Sequence, residues 1–169
     1  MLVLVAVASR HGSTLEIAEQ IGDVLRGAGL GCDVRLAGEV TSLEGYDAVV
    51  VGSAVYTGRW LADARELVDS HVAELAERPV WLFSSGLADA PAKSSNRPAE
   101  TADRMRLTLA VGHRHFPGRL DLDVLNFSER AIIAAARGKQ GDRRDMAEVR
   151  AWAGSIAAHL VTTPEHADA

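Results

Sequence analysis

The stretch Leu2-Val3-Leu4-Val5-Ala6-Val7-Ala8-Ser9-Arg10-His11-Gly12-Ser13-Thr14 decides the fold. Its first half is an unbroken apolar run, the pattern of a parallel strand covered on both faces, where period-two alternation disappears. Its second half is short, polar and punctuated by glycine. Beyond it Ile17, Ala18, Ile21, Val24, Leu25 and Ala28 recur at helical spacing, with Glu16, Glu19, Asp23 and Arg26 on other faces. A buried strand, a tight polar loop and an amphipathic helix therefore follow one another directly. At such a helix start several amides point outward, the macrodipole is positive, and Ser9, Ser13 and Thr14 add hydroxyl donors. That chemistry suits a phosphate monoester, with Gly12 allowing close approach of the backbone. The plainer alternative is that Ser13 or Thr14 only caps the helix. Neither GxGxxG nor GxxxxGK[ST] occurs, which favours a mononucleotide phosphate.

The same rhythm continues along the chain. Gly29 and Gly31 should stop the first helix, and Cys32–Leu36 and Asp47–Ser53 read as the second and third strands. Leu61, Ala64, Val68, Val72 and Leu75 predict one amphipathic helix, ended by Pro79 before a fourth strand, Val80–Ser84. Residues 99–110 are helical in pattern, His113–Pro117 reads as an edge strand, and Val149, Trp152, Ala153, Ile156, Ala157 and Leu160 mark a closing helix. Alternating strands and helices imply right-handed crossovers and an α/β fold, a parallel sheet with helices on both faces. A ligand then sits outside the carboxyl ends of the strands, where the loops after Val7, Ser53 and Ser84 converge. The whole reads as one domain over residues 1–162, with 163–169 as a flexible tail.

Composition narrows the function classes. At 169 residues, 47% hydrophobic and 24% charged, the chain suits one globular domain with a real core. A net charge of -5 argues against general nucleic-acid binding, which needs a basic face. Cys32 is the sole cysteine, so a disulfide framework and a CxxC pair are both excluded, and a cytoplasmic setting fits. Met1–Ala8 is too short to span a bilayer and lacks a basic leader, so it reads as a strand and not an export signal. The six histidines show no HxxxH or HExxH spacing, so no metal site is expected. Ser84-Ser85-Gly86 is not a GxSxG elbow. Two lysines among 18 basic residues, with many alanines, suggest a GC-rich bacterial genome.

Two further loops fit a flat ring. Ala54-Val55-Tyr56-Thr57-Gly58-Arg59 follows the third strand and offers an aromatic wall and a glycine hinge, and Ser85-Gly86-Leu87-Ala88 follows the fourth and offers backbone groups. With Ser9-Arg10-His11-Gly12-Ser13-Thr14 they form the candidate cofactor site. The first loop resembles the phosphate loop of the flavodoxin family, approximately [ST]-x-T-G-x-[ST]. Ser9, Gly12 and Thr14 match it, while His11 replaces a threonine and removes one hydroxyl. The resemblance implies a flavodoxin-like three-layer sandwich with a five-stranded parallel sheet in order 2-1-3-4-5, FMN as cofactor, and Tyr56 stacked on its ring.

A closer resemblance, to the menaquinone-dependent protoporphyrinogen oxidase branch, rests on SRHGST (9–14), GSAVYTGRW (52–60), FSSGLADAPAKSSNRPAE (83–100), HFPGRLDLDVLNFSERAI (115–132) and GKQGDRRDMAEVRAWA (138–153). It implies an FMN-dependent oxidoreductase of heme synthesis that oxidises a porphyrinogen and reduces a quinone. Arg59, Lys93, Arg97 and Arg119 are then candidates for pairing with substrate carboxylates, since a guanidinium matches a carboxylate in a fork. The segment from Leu120 to Arg137, with Ile132 and Ile133, is a candidate for weak peripheral contact with the inner face of the membrane or for an ordinary core-facing helix. Two alternatives stay open. One is a flavodoxin-like carrier docking a redox-partner protein through an acidic rim, and the other is a binding module that has lost FMN.

Overall fold

The computed structural model describes residues 1–86, 99–135 and 141–163. Strand β1 (Leu2–Ala8) leads through residues 9–12 into α1 (Ser13–Gly27), and β2 (Gly31–Leu36) and β3 (Ala48–Tyr56) flank β1 in parallel. Then follow α2 (Ala62–Ser70), α3 (Val72–Ala76), β4 (Val80–Gly86), α4 (Ala99–Leu107), β5 (Gly112–Pro117), α5 (Phe127–Ala135) and α6 (Met146–Thr162). These five long strands are parallel in the order β2-β1-β3-β4-β5, which puts β5 at the edge as the sequence implies. The pattern does not foresee a sixth, short member of the sheet: Arg59–Trp60 folds back antiparallel on the end of β3.

The unbroken apolar run of β1 has a direct cause in the layers. Val3, Val5 and Val7 enter the core beneath α1 and α6, while Leu4, Ala6 and Ala8 enter the core beneath α2 and α3. Residues 3–7 are fully buried, and burying a valine or leucine side chain contributes about 1.5–3 kcal/mol. A charge at any of these positions would face one core or the other. Cys32 lies in the first core, where burial pushes its thiol up to about 11, so it packs as a small apolar residue.

Three local readings change. The helix expected over Leu61–Leu75 is two helices, broken at His71, whose amide bonds the Val68 carbonyl and whose ring bonds the Leu67 carbonyl. These short-range bonds use carbonyls that a continuing helix would need. Gly31 does not end α1 but opens β2, against Leu2. The helix expected to reach Ala110 stops at Leu107, with the Thr108 hydroxyl donating to the Arg104 carbonyl and Leu109 at φ 52. Residues 164–169, expected as most of a tail, lie outside the described residues.

Between β5 and α6 the chain builds a small satellite unit. Arg119–Leu120 pairs antiparallel with Gly141–Asp142, a 3-10 turn spans Leu122–Val124, and α5 follows. Leu120, Leu125 and Ile133 form its own apolar cluster, with Leu122 packed against it. This unit stands beside the carboxyl ends of the strands and so borders the site.

Candidate functional site

The loops after β1, β3 and β4 converge on one half-open cleft, whose empty space of about 660 Å³ runs out into open solvent. Ser9, Arg10, His11, Ser13 and Thr14 line one end, Ala54, Val55 and Tyr56 a second wall, and Ser85 and Gly86 a third. The satellite unit closes the remaining side with residues 118–121, Val124, Leu125 and Ile133. Of that wall only Arg119 belongs to the site residues read from the sequence.

At the phosphate end, Gly12 is the N-cap of α1 at φ +84, a left-handed backbone that side chains disfavour. A Cβ on Gly12 would meet nothing within 4 Å, so the requirement for glycine comes from its backbone angle. No side chain caps the helix here: the Ser9 hydroxyl accepts from the Gly12 amide at 3.1 Å, and the Ser13 hydroxyl accepts from the Arg119 amide at 3.3 Å. The plainer reading, in which Ser13 or Thr14 serves as the cap, does not hold. The first-turn donors are therefore available to an anion, with the positive end of the helix dipole behind them.

Tyr56 stands in the cleft wall with the Arg10 guanidinium over its ring, 4.8 Å from the centroid. Its hydroxyl is buried, with the Arg10 side chain beside it. Burial chiefly, and then the Glu129 charge, raise its pKa against the opposing effect of Arg10. Thr57 and Gly58, at φ 50 and 76, form the tip of a two-residue hairpin that turns the chain away, and neither lines the cleft. Arg59 goes with them and pairs with Glu100 at 3.7 Å. Its neighbour Trp60 is buried, donating from its indole to the Ser84 hydroxyl at 2.8 Å. Leu87, Ala88, Lys93 and Arg97 lie outside the described residues.

Glu129 is the group that the sequence reading lacks. It is 4% exposed, and its Oε1 lies 3.0 Å from Arg10 Nε and 3.3 Å from His11 Nε2. Its Oε2 accepts from the Asn126 amide at 2.9 Å, while Asn126 Oδ1 accepts from the Glu129 amide at 2.9 Å. This is a capping box, and Asn126-Phe127-Ser128-Glu129 carries its spacing. The Asn126 amide, then His11 and Arg10, hold the Glu129 carboxyl below the ordinary glutamate range against the cost of burial. His11, in the position of the family threonine, thus turns to α5 and ties the phosphate end of the cleft to the satellite unit. Arg119 lines the cleft, with its guanidinium directed to Glu16 at 3.7 Å.

A family model described as "Flavodoxin domain" matches residues 4–146. The chain belongs to the flavodoxin domain family. Flavodoxin 1 from Bacillus cereus superposes with a TM-score of 0.67 at 16% identity, covering 95% of this chain and 99% of that one. A flavodoxin from the domain Archaea gives 0.64 at 18% identity, with 95% and 99% covered. Protoporphyrinogen IX dehydrogenase [quinone] of Escherichia coli is 29% identical over 89 residues, 52% of this chain and 49% of its own length. The match spans about half of that relative.

FMN is the cofactor of this flavodoxin domain, and the cleft fits it on its own evidence. An uncapped helix start would provide for the phosphate, and Tyr56 would provide a flat wall for the ring. When bound, FMN supplies the redox chemistry, and the chain supplies binding, orientation and exclusion of water.

Proposed function

We propose that this flavodoxin domain is an FMN-dependent oxidoreductase that takes electrons from a porphyrinogen and delivers them to a quinone. The single observation that carries this reading is the satellite unit over the cleft. Leu120, Val124, Leu125 and Ile133 make its outer wall apolar, and Arg10, with a half-exposed side chain, is held beside Tyr56 by Glu129. An apolar wall with a fixed guanidinium suits a large flat substrate that carries carboxylates. Arg10 lines the cleft where Arg59 does not, so Arg10 is the guanidinium assigned to the substrate carboxylates. The partial likeness to a quinone-linked protoporphyrinogen IX dehydrogenase supports the same substrate class.

The acceptor side rests on the outer face of the same unit. Phe127 is 88% exposed, and Ile132, on the same helix, is exposed as well. Among the described residues no helix is long and apolar enough to cross a membrane. A peripheral contact through α5 would therefore bring a membrane quinone to the cleft mouth.

An anaerobic assay tests the reading against that of an electron carrier. Adding protoporphyrinogen IX to the FMN-loaded chain is expected to bleach the oxidised-flavin absorbance, and adding a menaquinone analogue to restore it. A chain that dithionite bleaches but the porphyrinogen leaves unchanged is not this enzyme, and a carrier served by a protein reductase then stands in its place.

A further inference from the structure

The block around Gly141–Asp145 holds a buried cation that no role above explains. The Arg144 side chain is 6% exposed and lies behind the first turn of α1, outside the cleft lining. Its guanidinium donates to both oxygens of Asp142, from Nε at 2.9 Å and from Nη2 at 2.8 Å. Nη1 donates to Glu16 Oε2 and, at 3.1 Å, to the Ser13 carbonyl. Asp142 is held down at about 2, chiefly by this pairing, so it stays ionised throughout the neutral range. The second cation on Glu16 is Arg119, at 3.7 Å, and the Arg119 amide bonds the Ser13 hydroxyl.

Glu16 makes this arrangement more than a surface ion pair. It stands in the first turn of the helix whose start faces the cleft, where a carboxylate satisfies the helix dipole. A dianionic phosphate at the same helix start needs that same field, and an uncompensated Glu16 would repel it. Two arginines converge on this one carboxylate, and one of them also grips the carbonyl of Ser13, at the turn that presents the amides.

We propose that Arg144 is a positioning residue for the FMN phosphate: it neutralises Glu16 and fixes the Ser13 peptide, leaving the first turn of α1 to the phosphate. The inference rests on FMN binding with its phosphate at α1, and it adds a specific source of discrimination between FMN and riboflavin. Its effect is confined to the phosphate because Arg144 does not reach the ring wall formed by Tyr56.

Apoprotein of the full chain, titrated with FMN and with riboflavin by flavin fluorescence, supplies the test. Arg144→Gln is expected to weaken FMN binding by about tenfold or more while leaving riboflavin affinity within about threefold of wild type. Adding Glu16→Gln to Arg144→Gln is expected to recover part of the loss, since the Glu16 carboxylate is then gone while Asp142 and the Ser13 carbonyl still lack their cation. Equal weakening of both flavins, or a double variant no better than the single one, overturns the proposal. Should Arg144→Gln fail to fold, Glu16→Gln alone decides: FMN affinity equal to or above wild type is expected, and a fall overturns the proposal. A wild-type chain that takes up neither flavin overturns the FMN reading itself and this inference with it.

Discussion

Gly52→Ala is expected to lower the melting temperature by about 6–12 °C, from an overpacking cost of about 3 kcal/mol at about 2–4 °C per kcal/mol in a chain of this size. Gly52 sits in the middle strand β3, paired with Val7 on one side and Phe83 on the other. A Cβ there would lie only 2.0 Å from Phe83 Cζ and 2.1 Å from its Cε1. That ring cannot step aside easily: Phe83 is fully buried and makes edge contacts with Phe116 and Trp152, both at 6.1 Å between centroids. Overpacking usually costs about 1–3 kcal/mol, and a locked aromatic puts this case at the upper end. A double variant, Gly52→Ala with Phe83→Ala, checks the cause, since the second change opens the space that the first one needs. Thermal melts should show the pair far less destabilised than the sum of the two singles. Strict additivity would show that Phe83 is not what excludes the side chain.

Gly118→Ala is expected to lower FMN affinity by about ten- to a hundredfold, the equivalent of about 1–3 kcal/mol of strain at about 1.4 kcal/mol per tenfold. Gly118 follows β5 and lines the cleft, and a Cβ on it would overlap the Gly86 carbonyl at the end of β4. Gly86 lines the cleft as well, and a backbone carbonyl has no alternative rotamer. The strain must therefore separate the two segments that meet at the site. Gly112→Ala, at the start of β5, is the control, because its Cβ would meet only Trp81, at 3.9 Å. Flavin titration of both variants checks the expectation. An affinity of Gly118→Ala as high as that of Gly112→Ala would mean that the cleft does not depend on this approach.

The layers of the fold were legible because each strand carries its own local signal. Residues 3–7 and 48–51 are continuous apolar runs, and the structure buries them from both sides. The turn between β1 and α1 was legible for the same reason, since a strand, a polar turn and a helix adjoin within Leu2–Gly27. The direction of side chains at the cleft was not. Arg59 lies within three residues of Tyr56 in sequence, yet a hairpin with Thr57 in a left-handed conformation turns it to Glu100. Glu129 reaches His11 across 118 positions, and Arg144 reaches Glu16 across 128. Pairs so distant leave no periodicity to read. One local trace did exist, the capping-box spacing of Asn126 and Glu129, which marks a helix start between β5 and α6.

The site is best understood as two units meeting. The doubly wound sheet supplies the helix start and the ring wall, and the satellite unit supplies the apolar cover and is ion-paired to both ends of the first loop. Glu129 ties it to residues 10 and 11, and Arg144 to residues 13 and 16. The position of the cover and the shape of the loop after β1 are therefore linked through these ion pairs.

Phosphorus NMR of the FMN-loaded chain tests most directly whether the opening turn of α1 holds the phosphate. Free FMN loses its second phosphate proton near a pKa of about 6, and its resonance moves as it does so. Held by helix amides and hydroxyls, the bound phosphate should give a displaced resonance that stays fixed across that pH range, as a dianion kept from water. A resonance at the position of free FMN that titrates normally would contradict it.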